Sequence, residues 1–483
     1  MAPSTSITDL GPIEELRAAL WGEMVLPGET NWEQAVKVWC YPAQGKARTP
    51  AVVVRPRGTS DVVTAVKYAT KHRIPFAVKG GGHTPANLGI ANGGMTLDMS
   101  LMRSVFVDPV AKVAVVDGGA LLGDVDMETA LYNLCVPLGH APVTGMGLAL
   151  GGGVGVATRL FGPTCDHIIG VTLVTADGTV HDVSADGPDA ELLWGLRGAG
   201  AAFGVATKIR FRLNDVTGHC GGVMTWRDEP GHETFKAVAR FMRDVGYHTP
   251  GFSTNLNRIT PDGGPPVLVS QMVLLGEPGR EEETMKILEP LRALGPITDS
   301  VRPGGYIDCQ FAHAKTLARS PPHYEIWTAG TLPLDACTDN FIDALAEQLC
   351  ERHPDDKCPL SLGGCDIWGG KLCSTDAPVA FAASKCEFSW LHITSWIDPT
   401  HSDDAVAYNR ATRAELGRAA AARMVVEPYG NFGSTEEHME DEVLIKRAGG
   451  ADNLARLRVL KAKYDPTNLF ASHHFVGLER KSS

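Results

Sequence analysis

Apolar positions along the chain change their period, and the changes divide it. From 49 to 213, short apolar runs alternate with stretches that are apolar on one helical face. Residues 51–57 read as a buried strand. The stretch 59–73 reads as a helix with Ser60 as N-cap and Val62, Val66 and Ala69 on one face. Residues 74–79 return to strand and stop at Gly80-Gly81-Gly82-His83. Two short strands around Asp108-Pro109 (105–116), a helix over 121–135 and a hairpin over 168–183 turning at Asp177-Gly178 complete this region. After Val216 the pattern lengthens, with helices predicted at 232–245, 280–294 and 335–352 and a strand-like run at 267–275. A final helix is predicted near 453–463. The expected fold class is α+β: a first domain over 1–215, a second over 216–424 with an antiparallel sheet backed by helices, and a return of 425–483 to the first.

Charge narrows the partners. The 483 residues carry 44 Lys+Arg against 56 Asp+Glu, a net charge of -12, which disfavours nucleic acid and anionic membranes. Asp9, Glu14, Glu15 and Glu23 interrupt the opening thirty residues, no signal-like apolar core is present, and no run of about 18 apolar residues occurs. A cytoplasmic protein, monomeric or homodimeric, is expected. The 11 cysteines contain no Cys-x-x-Cys pair, and His473-His474 has no ligand partners at metal spacing, so no metal is expected.

Glycine is the outlier, 53 residues where an average protein has roughly 7%. Three clusters lie in the first domain. Val78-Lys79-Gly80-Gly81-Gly82-His83-Thr84 ends a strand, and successive glycine N–H groups in a tight turn suit a diphosphate. It is neither a GxGxxG fingerprint nor a P-loop. Gly139–Gly147 runs into Gly151-Gly152-Gly153-Val154-Gly155, where five glycines over 147–155 argue against regular structure. Gly195, Gly198, Gly200 and Gly204 form the third, read as a loop opening the strand from Val205. Each alone is a turn or a packing device; together they point to an extended cofactor.

These residues resemble the FAD-linked oxidases of the vanillyl-alcohol oxidase superfamily, with a PCMH-type FAD-binding domain of two α/β subdomains. Within it they resemble the berberine-bridge-enzyme-like branch, which includes 6-hydroxy-D-nicotine oxidase. The family's Gly-Gly-His-Ser/Thr/Asn turn matches Gly81-Gly82-His83-Thr84, and its Gly-Gly-Gly-x-Gly loop and Arg-x-(Tyr/Phe)-Gly segment match 151–155 and Arg159-Leu160-Phe161-Gly162. Its Tyr-Asp-Pro-x-Asn-x-Phe tail matches Tyr464-Asp465-Pro466-Thr467-Asn468-Leu469-Phe470. The match is dense over 49–213, good over the last fifty residues and faint between.

The resemblance implies FAD bonded through His83 to the 8α carbon of the ring. The implied cradle comprises Val78, Lys79, Gly80, Gly81, Gly82, His83, Thr84 and Asn87; Thr144, Gly145, Gly147, Leu150, Gly151, Gly152, Gly155 and Val156; and Gly204 and Val205. A second, cysteinyl bond is not expected, because Ala141-Pro142-Val143, or His140 on another placement of the gap, stands where relatives have Cys-Pro-Thr. Flavin carries the redox step while the protein supplies position and a base. Tyr429 in Glu427-Pro428-Tyr429-Gly430-Asn431-Phe432 matches the family's Tyr-x-Asn-(Tyr/Phe) motif and is the candidate base, with Lys385, Asp366 and Glu387 as candidate neighbours tuning its phenol. Glu325 or Glu387 is the alternative base. Asn431 is expected on the flavin or on the Tyr429 loop, and Gln310, in a family-like strand 306–310, as a ligand contact. Trp327, Trp368, Trp390 and Trp396 read as core, or else as a sugar groove, and Cys165 as buried and inert. The expected function is an oxidase acting on a CH–OH or CH–NH carbon of a small metabolite or sugar, with O2 as acceptor. A dehydrogenase and a redox-neutral cyclase or isomerase stay open as alternatives.

Overall fold

The computed structural model describes residues 10–42, 48–216, 219–261, 264–276, 279, 281–312, 323–374, 380–381, 386–420, 423, 425–426, 431 and 441–471. The first layer is a sheet in the order Glu23–Val25, Val52–Arg55, Met95–Asp98, Phe76–Lys79, the last three strands parallel. The helix Thr59–His72 covers it with Val62, Ala65, Val66 and Ala69. Its N-cap is Gly58 rather than Ser60, which sits in the first turn. Asp61 instead ties that turn down, accepting the backbone N–H groups of Trp21, Gly22 and Arg57 at 2.9 Å each. Arg73, with φ 53°, ends the helix in the left-handed region.

A second sheet runs Val180–Ser184, Ile168–Val174, Val205–Arg212, Val113–Asp117, Val105–Asp108, all antiparallel. The helices Leu122–Ala130 and Ala190–Ala199 fill its core together with Leu444, Leu454, Leu457 and Leu460 from the C-terminal helices Asp441–Ala448 and Ala451–Tyr464. The helices Asp441–Ala448 and Ala451–Tyr464 thus pack with the second sheet. Two sequence expectations change here. The helix predicted to reach 135 stops at Ala130, and Leu134–Cys135 pairs with Asn214–Asp215. The stretch read as a third glycine loop is helical through Gly195 and breaks at Arg197 and Gly198, where φ reaches 128°.

The large sheet is ordered Thr298–Asp299, His219–Arg227, Val267–Leu275, Phe252–Ile259, Leu362–Ile367, Phe388–Trp396, Tyr324–Leu332, Tyr41–Pro42. Alternate residues face opposite sides. Leu256, Cys365, Trp390 and Phe388 lie in a core formed with Glu233–Phe241, Asp339–Ala346 and Ser402–Ala419. The opposite face looks toward the glycine loops. The predicted 280–294 helix is two pieces, Glu281–Ile287 and Glu289–Arg292. The segment Tyr306–Gln310 is a helix, not a strand.

Candidate flavin and substrate site

The first two glycine loops touch through their backbones. A Cβ on Gly81 would lie 2.5 Å from the Gly145 nitrogen, and one on Gly145 would lie 2.2 Å from the Gly81 nitrogen. Neither neighbour is a side chain that can swing aside. Gly145→Ala should therefore separate the loops, lowering the FAD bound per chain by tenfold or more; a wild-type flavin-to-protein absorbance ratio would contradict the contact. Gly147 has open space where a Cβ would stand, and Gly80 has only Gly145 at 3.8 Å. Gly152, at φ 115°, backs onto the Phe381 ring, Gly155 onto the Leu138 carbonyl and Gly204 onto the Val174 carbonyl. These last three are close-packing positions.

Side chains of the expected cradle divide similarly. Val78 and Val205 pack in the core of the first sheet, Leu150 in that of the second, and Val156 lies in a small apolar cluster and faces a cavity. Lys79, expected at the cofactor, is buried and committed elsewhere: its Nζ lies 3.1 Å from Asp98 Oδ2 and donates to the Ala35 carbonyl at 2.8 Å. A lysine at the end of a parallel strand here neutralises a buried aspartate. Asn87, with φ 53°, is buried, and its Oδ1 has no hydrogen-bond partner among the described residues. Thr84 accepts the Asn87 N–H through its carbonyl, Thr144 accepts that of Leu122, and Gly151 closes the short Gly147–Leu150 turn. His83 stacks on Trp39, with centroids 4.8 Å apart, and meets Trp327 edge-on at 6.4 Å.

Between the second loop and the large sheet lies a cavity of about 60 Å³. His140, Val154, Gly155, Val156 and Thr158 form its floor; Thr254, Asn255, Gln271, Asp366 and Trp368 form the sheet side. Cross-strand register explains the polarity. Asn255 pairs with Asp366, Asp366 with Ser389, and Ser389 with Thr331, so one row across four strands is polar and faces the loops. The Trp327–Ile393–Leu362–Ile259 row, on the same face, is apolar and lies ~13 Å along the strands toward His83. Burial raises the Asp366 carboxyl to about 7 and lowers the His140 imidazole below its ordinary value. The buried Gln271 Oε1 and Ser389 Oγ have no partner among the described residues.

Gln310 does not take the expected place. Its amide Nε2 donates to Asp126 Oδ2 at 3.1 Å and to the Gly139 carbonyl at 3.0 Å, fastening the Tyr306–Gln310 helix beneath the second loop. Asp126, fully buried, is raised to about 8 by desolvation, against the lowering effect of that bond. Asn431 Nδ2 donates to the Leu148 carbonyl of the second loop at 3.1 Å. Tyr429, Lys385 and His473-His474 lie outside the described residues. Glu387 accepts from Tyr247 Oη at 2.5 Å and from the Leu334 N–H at 2.8 Å. Glu325 accepts from Trp327 and Ser395 and bonds to His323. Trp390 and Trp396 are core, whereas Trp368 lines the cavity. Burial pushes the Cys165 thiol well up.

Asp228, His232 and Cys350 cluster with potential ligand atoms within 4.8 Å. Asp228, however, already receives Arg258 Nε on Oδ2 at 2.7 Å and bonds His232 Nδ1 through Oδ1 at 2.7 Å, so both of its oxygens are engaged. No helix among the described residues is long and apolar enough to cross a membrane. Asn255, Gln271 and Trp39 were not expected at the site. Gln271 carries the clearest signal, an amide inside the apolar run Val267–Leu275.

Open glycine positions, the unpartnered Asn87 oxygen and a cavity between loops and sheet fit an extended dinucleotide with its ring against the large sheet. The fold and site define a flavin-dependent oxidoreductase with a PCMH-type FAD-binding domain. Residues 50–184 match the FAD binding domain family, and residues 448–476 match the berberine and berberine-like family. The FAD-linked oxidoreductase hasG of Aspergillus fumigatus is 30% identical over 94% of this chain and 97% of its own. The (R)-6-hydroxynicotine oxidase of Paenarthrobacter nicotinovorans is 35% identical over 43% of this chain and 45% of its own. The fold is also that of 6-hydroxy-D-nicotine oxidase from Arthrobacter nicotinovorans, with TM-score 0.81 and 23% identity, covering 95% of this chain and 98% of that one. The chain belongs to the berberine-bridge-enzyme-like FAD-linked oxidoreductases.

Proposed function

We propose that the protein oxidises a carbon bearing a hydroxyl or amine in a small polar metabolite or sugar, with O2 as electron acceptor and H2O2 as co-product. FAD, held by the two touching loops and joined through His83 alone, supplies hydride acceptance at N5. The observation that carries the reading is the Asp366 carboxylate, which lines the cavity with no cation among the other described residues lining it. Hydride loss from CH–OH or CH–NH is assisted when a base takes the O–H or N–H proton. Asp366 is that acceptor, with the Tyr429 phenol as the proposed relay. Asn255 and the Gln271 Oε1, unpartnered among the described residues, are available to orient a polar substrate, and Trp368 offers an apolar face. Asn431 is fixed to the Leu148 carbonyl of the second loop.

Acid precipitation tests the linkage directly. The wild-type pellet should be yellow and the His83→Ala pellet colourless, with its flavin in the supernatant. Chemically reduced enzyme should then reoxidise rapidly on mixing with air. Slow reoxidation, with fast electron transfer to an artificial quinone, would replace the oxidase by a dehydrogenase.

A further inference from the structure

His83 sits in a clamp whose parts come from three distant places in the sequence. Residues 35–42 form a strap over the first glycine loop. Lys79 Nζ donates to the Ala35 carbonyl at 2.8 Å, and the Trp39 N–H donates to the Gly82 carbonyl at 3.1 Å. The Tyr41 N–H then donates to the His323 carbonyl at 2.9 Å, and Tyr41–Pro42 continues as a parallel strand beside Tyr324–Leu332. The strap therefore ties the loop to the large sheet and places the Trp39 indole flat against the His83 ring, at an interplanar angle of 16°.

The sheet supplies the other side. Trp327 meets the His83 ring edge-on. Its own plane is set by Nε1–H, which donates to Glu325 Oε2 at 2.8 Å. The other carboxylate oxygen, Oε1, bonds to His323 Nε2 at 2.8 Å and accepts from Ser395 Oγ at 3.2 Å. His323 in turn lies edge-on to Trp39, with centroids 6.4 Å apart. One fully buried carboxylate thus fixes Trp327 directly and Trp39 through His323. A buried carboxylate is stable only with such charge-assisted bonds, so the arrangement has one low-energy geometry.

We propose that Trp39 and Trp327, with Glu325 as the positioning residue behind them, hold the His83 imidazole in the orientation required for flavin attachment and so set its rate and completeness. This rests on the proposed His83 linkage. Attachment forms a bond from a ring nitrogen of His83 to the 8α carbon and breaks one C–H bond there. The N–H and C–H protons leave, the two electrons of the C–H bond reduce the flavin, and O2 removes them as H2O2. The bond forms only along one approach to the ring nitrogen, and a free imidazole rotor samples that approach rarely.

The test compares Trp39→Ala, Trp39→Phe and Glu325→Gln with the wild-type protein, expressed and purified alike. Acid-precipitable flavin, total bound FAD and melting temperature are measured for each. Trp39→Ala and Glu325→Gln should carry about one fifth or less of the wild-type covalent fraction at equal total FAD, the remainder being released by acid; Trp39→Phe, which keeps a stacking ring, should restore most of it. Equal covalent fractions in all variants overturn the clamp and leave the linkage intact. Wild-type protein that releases all its flavin overturns the linkage, and the clamp with it. Should Trp39→Ala fail to fold, Glu325→Gln against Trp39→Phe decides, since the first is isosteric and the second keeps an aromatic ring in place.

Discussion

Asp366→Asn should slow flavin reduction by substrate about 10²–10⁴-fold, the usual range for losing a positioned base, while FAD content stays at the wild-type level. The residue sits within the polar row of the sheet, between Asn255 and Ser389, and belongs to neither glycine loop; its substitution should remove a proton acceptor rather than a wall of the cradle. Desolvation holds its carboxyl at about 7, so the basic form accumulates as pH rises through that value. The wild-type reduction rate should accordingly climb across neutrality, and the variant should lose that limb. His140, the other titratable residue lining the cavity, is lowered by burial and stays neutral there. Stability should move the opposite way. A carboxyl raised in the folded state contributes stability that is present below its unfolded value near ~3.9 and is lost as pH rises through about 7. Rapid-mixing reduction and urea midpoints across that range check both. A variant with the wild-type pH profile would remove Asp366 from the reaction.

The contact between the two glycine loops was legible where packing forces a residue type. Gly81 and Gly145 leave no room for a Cβ, and His83 stands at the end of a strand that the apolar pattern had already drawn. Lys79 misled because a cation beside a glycine turn reads as a phosphate ligand, whereas its partner Asp98 is nineteen positions away and joins it only through the parallel pairing of two strands. The helix Ser402–Ala419 escaped periodicity for a different reason: its buried stripe is Ala405, Asn409, Thr412 and Leu416, half of it polar. Asn409 bonds to the Ile326 carbonyl and Thr394, so the helix docks through polar satisfaction as well as apolar burial. The polar row was illegible because Asn255, Asp366, Ser389 and Thr331 become neighbours only when four strands are in register. Local pattern finds strands; it does not order them.

Lys461→Met should cost the protein about 3–5 kcal/mol of stability, the range for removing one partner of a buried pair. Lys461 and Asp465 are fully buried, 2.6 Å apart, on the last turn of Ala451–Tyr464 and the residue after it. Lys461 Nζ also donates to the Ala202 carbonyl at 2.8 Å and to the Phe470 carbonyl at 3.0 Å. Asp465 accepts the N–H groups of Leu469 and Phe470 at 2.8 and 2.9 Å. The Tyr-Asp-Pro tail is therefore a knot. It ties the terminal helix to the start of the Val205–Arg212 strand region and seats Phe470 against Phe76 under the first sheet, with ring centroids 5.9 Å apart. Methionine matches the lysine stem in length but leaves the Asp465 charge uncompensated and two buried carbonyls without a donor. The double variant Lys461→Met/Asp465→Asn should recover part of the loss, because neither charge then remains buried, and the two effects should fall well short of additive. Urea unfolding of the three variants measures this coupling. A single-variant loss under about 1 kcal/mol, typical of an exposed ion pair, would show that the knot opens to water and that the tail is held by Phe470 alone.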